Sequence, residues 1–283
     1  MSSYTWSCTG SNASLSNFNA FGSGVHAALV ASNLVQTSDT GQINWTTNTV
    51  YPNTVTGFSC GYEIWRFNDT LQSSTPVYIK IEFGSSGSGS ATLGFWVTIG
   101  KGSGGAGNIT DVTLARTAIA NSQAASASTP CYASADTNRI AIICLMSTNA
   151  TYGFGFAIER IHGADGQDDA DGVVFVGLGA IGTKTAHILW DGSSPAPQAA
   201  WNTTVPPSGS GALAPDINVY PVRCWTPGEG YPLHSVMAYV STDFTPGATF
   251  VITSYDGVSR TYVAVGVKAV GYGGTAYTMW RYE

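Results

Sequence analysis

Short runs in which every second residue is apolar dominate this chain and restrict it to folds built from strands. In the clearest run, residues 76–83, the odd-numbered residues from Val77 to Phe83 are apolar, and Tyr78, Lys80 and Glu82 alternate with them. Because successive side chains of a strand point to opposite faces, this pattern predicts a strand with one buried face. Clusters of Gly, Pro, Asn and Ser separate the runs. The sequence therefore predicts an all-β, antiparallel sandwich or jelly-roll-like fold with long Gly/Ser/Pro loops and at most one short helix.

Several further runs predict strands, and one segment favours a helix. The strand-like runs are residues 62–67, 92–99, 139–146, 152–161, 173–181, 184–190, 249–255 and 258–265. Asp256-Gly257 lies between the last two and is typical of a tight hairpin turn. Residues 108–122 are the predicted helix, because possible caps at Asn108 or Thr110 precede Val112, Ala115 and Ile119 at near-helical spacing.

The 283 residues are enough for one large β domain or two smaller ones. Residues 191–215 are rich in Pro, Ser and Gly and predict a loop or linker between a main β domain, residues 1–190, and a smaller β region, residues 216–283, which can also belong to the same domain. Residues 122–130 predict a second long loop for the same reason.

Charge and hydropathy exclude several classes of partner. Charged residues make up only 10% of the chain, against roughly 25% in an average soluble domain. With 11 Lys and Arg scattered along a chain of net charge −6, no basic stripe is available for phosphates, so we expect no direct nucleic-acid binding. No apolar run reaches about 18 residues, and the first residues lack the pattern of a secretory signal. We therefore expect no membrane insertion and synthesis in a cytosol.

The five cysteines are widely spaced and odd in number: Cys8, Cys60, Cys131, Cys144 and Cys224. They lack the short paired spacings of a zinc site or a dense disulfide framework. Buried free thiols are the simplest interpretation.

Two glycine-containing patterns resemble catalytic or cofactor motifs. Gly57-Phe58-Ser59-Cys60-Gly61 matches the G-x-S-x-G nucleophile elbow of hydrolases, which needs a helix after the serine, whereas the residues after Gly61 alternate as a strand. Gly102-Ser103-Gly104-Gly105-Ala106-Gly107 matches the dinucleotide pattern G-x-G-x-x-G. That motif needs a parallel βαβ unit and an acidic residue about 20 residues on, and the chain has neither. We expect no catalytic residues and no cofactor.

Acidic and aromatic residues leave two binding alternatives open. Asp165, Asp168, Asp169 and Asp171 form the one acidic cluster, which could hold calcium or could be a solvated hairpin connection, and its spacing differs from a helix–loop–helix calcium loop. A pair of carboxylates for glycoside cleavage would meet only in the folded chain. The eight tryptophans are more typical of core or interface anchors than of sugar platforms.

Three segments resemble virion proteins of tailed double-stranded-DNA bacteriophages. The first segment runs from Gly61-Tyr62-Glu63-Ile64-Trp65-Arg66-Phe67-Asn68-Asp69 to Phe95-Trp96-Val97-Thr98-Ile99-Gly100. The second segment is Phe156-Ala157-Ile158-Glu159-Arg160 with the acidic loop that follows it. The third segment is the end of the sequence, from Tyr255 to Glu283. These relatives are uncharacterised particle proteins, so the resemblance implies no catalytic residues. It implies a subunit located in the virion that binds other copies of itself and neighbouring virion proteins.

The function expected from the sequence is therefore a structural component of the phage neck, tail or fibre apparatus, or a capsid decoration. The alternative is a carbohydrate-binding module for host surface glycans, built on exposed aromatics. A polysaccharide-degrading tailspike is a third hypothesis, but such enzymes are usually parallel β-helices with repeated short rungs, which this sequence lacks.

Overall fold

The computed structural model of the chain contains one α-helix and antiparallel sheets. It describes residues 2–9, 14–52, 57–85, 92–120, 128–145, 153–162, 168–179, 182–189, 211–213, 217–226, 229–239, 247–253, 257–265 and 277–283. The helix is α1 (Leu15–Val30), and a 3-10 turn covers Thr70–Ser73. The predicted all-β, antiparallel sandwich class is confirmed. No helix within the described ranges is long and apolar enough to cross a membrane.

The first sheet has the order β2-β3-β4-β5-β6 and consists of neighbours in sequence. Its strands are β2 (Val35–Gln36), β3 (Ser59–Arg66), β4 (Tyr78–Gly84), β5 (Gly94–Ser103) and β6 (Ile109–Ala120). The alternation that predicted a strand in residues 76–83 is confirmed, because Val77, Ile79, Ile81 and Phe83 are all fully buried. They face a core shared with the helix and the second sheet.

The second sheet lies in the middle of the molecule and is apolar on both faces. Its order is β1-β7-β8-β9-β10-β11. The strands are β1 (Ser2–Thr9), β7 (Ser128–Asp136), β8 (Arg139–Leu145), β9 (Gly153–His162), β10 (Asp168–Gly179) and β11 (Gly182–Leu189). Every residue of β8 is buried. Ile142 belongs to the core toward the first sheet, whereas Ile143 belongs to a second core on the opposite face. A strand buried on both faces reads as a continuous apolar run, as this one does.

The third sheet covers the second core. Its order is β12-β13-β14-β17-β16-β15. The strands are β12 (Gly211–Leu213), β13 (Ile217–Thr226), β14 (Glu229–Tyr239), β15 (Thr249–Thr253), β16 (Ser259–Val265) and β17 (Tyr277–Arg281). Leu233, Val263 and Trp280 pack from this sheet against the middle sheet. The described part of the chain is therefore a stack of three sheets, in which the middle sheet contacts both others.

The helix α1 was not expected from the sequence. Its N-cap Ser14 accepts a hydrogen bond from the backbone N–H of Asn17 at 3.2 Å. Phe18, Phe21, Val25 and Leu29 recur at helical spacing and are fully buried in the first core. Apolar burial of this stripe, rather than intrinsic helix propensity, accounts for the helix.

Two helix glycines allow tryptophans to lie directly against the backbone of α1. A Cβ atom at Gly22 would come within 1.9 Å of the Trp45 ring, and one at Gly24 within 2.4 Å of the Trp6 ring. Glycine normally weakens a helix interior by about 1 kcal/mol relative to alanine. Here the missing side chain is what admits the two indoles.

The helix predicted for residues 108–122 is wrong, because Ile109–Ala120 is the strand β6. Two register shifts occur where β6 pairs with β5, next to Val97 and Ile99. Each shift disrupts the period of two along the strand, so the apolar residues take a spacing that resembles a helix. The β-branched residues of this segment suit a strand.

Other local predictions are confirmed in part. The two final strand-like runs pair as β15 and β16, with Thr253 opposite Ser259. Gly257 has a φ of +77°, as a turn glycine should, whereas Asp256 lies outside the described residues. The connection is longer than a two-residue turn, since five residues separate Thr253 from Ser259.

The two predicted loops are each shortened at one end. Ser128 to Pro130 begin β7, so the loop predicted for residues 122–130 ends earlier than expected. Gly211–Leu213 form β12, so the predicted linker of residues 191–215 also contains a strand. The remaining residues of both segments lie outside the described ranges. The division into residues 1–190 and 216–283 stays a prediction.

Candidate functional site

The predicted nucleophile pattern around Ser59 forms the start of a strand. Gly57 has a φ of +81°, and Ser59 begins β3, so a strand rather than a helix follows the serine. The Ser59 hydroxyl donates to the carbonyl of Gly61 at 3.4 Å. The segment therefore lacks the helix that a nucleophile elbow needs after its serine.

The glycine-rich segment that matches the dinucleotide pattern, residues 102–107, spans the end of β5 and most of the hairpin connection between β5 and β6. The N–H of Gly104 donates to the carbonyl of Asn108 at 2.8 Å, and Gly105 and Gly107 have positive φ. The concave side of the loop is occupied by Asp39, which accepts the hydroxyl of Ser103 at 2.6 Å and the N–H of Gly107 at 3.3 Å.

Asp39 is held as a carboxylate by these contacts. Burial alone would raise the pKa of Asp39, but the hydrogen bonds from Ser103 and Gly107 outweigh it and place the pKa below its ordinary value. The loop donors that contact Asp39 therefore bind a carboxylate of the same chain.

The acidic cluster is described only in part. Asp168 begins β10 and lies opposite His162, and the register shifts before Val173. Asp165 lies outside the described residues, so the calcium hypothesis stays untested. Within the ranges that the structure describes, no group of three or more His, Cys, Asp or Glu side chains is placed to hold a metal ion.

Three of the cysteines are buried free thiols, as predicted. Cys8, Cys131 and Cys144 lie on the adjacent strands β1, β7 and β8, and the Sγ atoms of Cys8 and Cys131 are 3.4 Å apart. Burial raises the pKa of Cys131 and Cys144, so both stay protonated and unreactive. Cys60 is half-buried, and burial raises its pKa to about 12.

The tryptophans whose side chains are described are mostly core residues. Trp65 and Trp280 are fully buried, Trp96 is nearly so, and Trp6 and Trp45 pack against the first core. For these residues the prediction of core anchors is confirmed. The side chains of Trp190, Trp201 and Trp225 are not among those described.

A buried carboxylate, Glu63, links the helix α1 to the first sheet through hydrogen bonds. It is fully buried in β3. It accepts hydrogen bonds from Nδ1 of His26 at 2.8 Å and from Nε1 of Trp45 at 2.7 Å and of Trp65 at 2.9 Å. The donors come from the helix, from the segment before β3 and from β3 itself. The hydrogen bond that His26 donates to Glu63 raises the pKa of His26 against the opposing effect of partial burial.

Glu159 fastens the middle sheet to the third sheet. This buried carboxylate of β9 accepts the backbone N–H groups of His234 and Ser235, each at 2.8 Å, and also the hydroxyl of Ser235. Arg139 lies opposite Glu159 on β8. Because burial lowers the pKa of Arg139 and the charge of Glu159 opposes that effect, the two groups compensate each other.

The next residue, Arg160, links the same strand to the layer formed by the first sheet and its connections. Its guanidinium is fully buried and binds both carboxylate oxygens of Asp69, with the NH2–Oδ1 distance at 2.9 Å. It also donates to the carbonyl of Thr75 at 3.1 Å and lies over the ring of Phe67 at 5.5 Å. Asp69 belongs to the connection between β3 and β4.

Glu159 and Arg160 therefore point to opposite faces of β9, where Glu159 binds the third sheet and Arg160 binds the layer of the first sheet. We call this pair the β9 joint. In a strand, consecutive side chains point in opposite directions, so two adjacent charges can link the middle layer to both of its neighbours. Each oxygen of the Glu159 and Asp69 carboxylates accepts at least one hydrogen bond from a protein donor, an arrangement that suits rigid positioning of the layers.

The outer face of the first sheet carries the most exposed polar array. Arg116 of β6 forms a two-pronged ion pair with Glu82 of β4, at 2.8 and 3.2 Å, and its Cζ lies 4.2 Å from the centre of the Trp96 ring. On the same face, Nζ of Lys80 lies 4.7 Å from the centre of the Tyr62 ring. These are cation–π contacts at a surface that solvent reaches.

Sequence reasoning missed the β9 joint and the Glu63 centre. One signal was present: Glu63, Glu159 and Arg160 are ionisable residues inside strands that are otherwise apolar. Such residues are rarely buried unless they are paired. No protein-family model, curated protein or solved structure matches the chain at a significant level.

Proposed function

We propose that the chain is a structural subunit of a tailed-bacteriophage virion, in the neck, tail or fibre apparatus or as a capsid decoration. It acts by assembly with copies of itself and with neighbouring virion proteins, and it neither inserts into a membrane nor contacts nucleic acid directly. It is made in the cytoplasm of the bacterial host and has no catalytic role.

The β9 joint is the observation that best supports this proposal. Glu159 and Arg160 are buried; Glu159 accepts hydrogen bonds from backbone and hydroxyl groups of the third sheet, and Arg160 forms an ion pair with Asp69 of the connection between β3 and β4. Breaking a buried ion pair of this kind costs about 3–5 kcal/mol, so the relative position of the layers is strongly held. A rigid body with few surface charges suits long-lived assembly, because docking it desolvates few charged groups.

Sheet edges offer a route to that assembly. The edge strand β15 ends the third sheet, and its Val251 is 65% exposed. Edge strands can pair across subunits through unsatisfied main-chain groups. The resemblance of residues 255–283 to particle proteins includes β16 and β17, which lie beside this edge.

The second candidate is a carbohydrate-binding module for host surface glycans. It is favoured by the outer face of the first sheet, where Tyr62 and Tyr78 are half-buried beside Lys80. Aromatic rings beside polar and charged groups are the pattern that sugar recognition uses.

Light scattering on the purified chain, coupled to size-exclusion chromatography, separates the two candidates. A subunit of a symmetric particle should form a discrete trimer, hexamer or larger ring, and its copy number would narrow the position in the particle. A monomer at every concentration tested would count against self-assembly and favour the carbohydrate-binding module.

A further inference from the structure

Positive charge is concentrated on one face of the first sheet. Five described Lys and Arg side chains are not buried: Arg66, Lys80, Lys101, Arg116 and Arg260. By strand alternation, Arg66, Lys80 and Arg116 share the outer face of the first sheet, opposite the buried Trp65, Ile79 and Ile81. A chain of net charge −6 thus presents a locally cationic surface. Such a surface attracts anionic ligands.

The cations alternate with aromatic rings. Tyr78 lies opposite Arg66 in the register, two positions before Lys80 on the same strand, and Lys80 contacts the Tyr62 ring. Both tyrosines are half-buried. Lys80 and Gly107 pack against the Tyr62 ring, so stacking against the apolar face of a sugar falls to the Tyr78 ring, and the neighbouring cations can pair with the acidic groups of that sugar.

The Glu82 carboxylate of this face pairs with Arg116 and therefore does not cancel the positive charges of Arg66 and Lys80. Both oxygens of Glu82 are bound by Arg116, at 2.8 and 3.2 Å, and Arg116 in turn covers Trp96. Glu82 and Trp96 hold the Arg116 side chain in place, whereas Lys80 and Arg66 form no ion pair in the described part of the chain. Of the apolar residues of the face, Ile64 and Trp96 are buried, whereas Val112, which lies opposite Gly100 in the register, is 51% exposed.

We propose that this cationic face, formed by Tyr62, Arg66, Tyr78, Lys80 and Arg116, binds an acidic polysaccharide that carries carboxylate or sulfate groups. Complementary charge is the reason for choosing an acidic ligand, and the half-buried Tyr78 ring beside these cations is the reason for choosing a saccharide. The inference rests on the glycan-recognition candidate and is independent of whether the chain assembles into a particle.

Calorimetric titration of the full-length chain with polygalacturonate, a polymer of carboxylated sugars, tests the proposal, with dextran as the neutral control. We expect binding of polygalacturonate that weakens with added salt and no binding of dextran. Lys80→Ala should weaken binding roughly tenfold, because a hydrogen bond to a charged group is lost. Arg260→Ala removes the same charge from the third sheet and is the matched control; it should leave the affinity unchanged.

Tyr78→Ala separates stacking from charge. It should weaken binding without changing the dependence on salt, and an unchanged thermal melt would exclude a folding defect. The proposal is overturned if polygalacturonate does not bind, if dextran binds equally well, or if Lys80→Ala and Arg260→Ala weaken binding equally. If Lys80→Ala changes the mass of the chain in solution instead, the face is an interface between copies, which refutes this proposal but leaves the assembly proposal standing.

Discussion

Replacing Glu159 by glutamine should destabilise the chain far more than the same change on the outer face. In Glu159→Gln, one carboxylate oxygen becomes an NH2 group that faces a donor. If the NH2 group faces His234, the buried backbone N–H of His234 loses the acceptor that lies 2.8 Å away in the unmutated chain, at a cost of roughly 2 kcal/mol. The two hydrogen bonds from Ser235 become neutral and weaken by roughly 1 kcal/mol each. The expected loss is about 4 kcal/mol.

Glu82→Gln is the matched control, because it is the same substitution on the first sheet. The Glu82 carboxylate is only 11% exposed, but its partner Arg116 is 45% exposed and keeps its contact with solvent, so we expect a loss of about 1 kcal/mol. Urea unfolding followed by tryptophan fluorescence measures both losses, and Trp280 reports on the third sheet from within its core. A Glu159→Gln loss below about 1 kcal/mol, or equal losses in the two variants, would refute the role of the joint.

Three further predictions follow from the same contacts. The pKa of His26 is raised above 6.5, so its protonated form favours the folded state; this stabilisation is complete below pH 6.5 and is lost as pH rises through the folded-state pKa. The free energy of unfolding, measured against pH, should lose this dependence in His26→Gln. An unchanged pH dependence in that variant would contradict the pairing of His26 with Glu63. Gly22→Ala should cost about 1–3 kcal/mol because its Cβ would meet the Trp45 ring at 1.9 Å, whereas a gain of stability in thermal melts, as expected of a helix glycine with free space, would contradict the packing. Arg160→Met should cost about 3–5 kcal/mol in urea unfolding by leaving Asp69 unpaired, and a neutral result would mean that the pair does not hold the layers.

Much of the strand content could be predicted from the sequence, because local alternation decides it. Val77, Ile79, Ile81 and Phe83 needed only a period of two to be assigned to a buried face. The continuous apolar run of β8 also signalled a strand, although its burial on both faces depends on a third layer that no local pattern reveals.

The helix α1 and the β9 joint depend on contacts between residues far apart in the sequence and were missed for that reason. Helix α1 contains Gly22, Gly24 and Asn residues that lower its propensity, and its stability comes from packing against strands far away in sequence. The partners of Glu159 and Arg160 are separated from them by 76 and 91 residues. Strand β6 was mistaken for a helix because bulges disturb its alternation, and a bulge can be recognised only from the partner strand.

Fractionation of phage particles is the most direct test of the proposed function. Cells that carry the gene are lysed by the phage, the particles are banded on a density gradient, and the bands are analysed by quantitative mass spectrometry. A structural subunit should co-sediment with the DNA-filled particles at a fixed copy number per particle that survives washing in salt. If the chain stays in the soluble fraction while the major capsid protein sediments, it is not a virion subunit, and the proposed function is wrong.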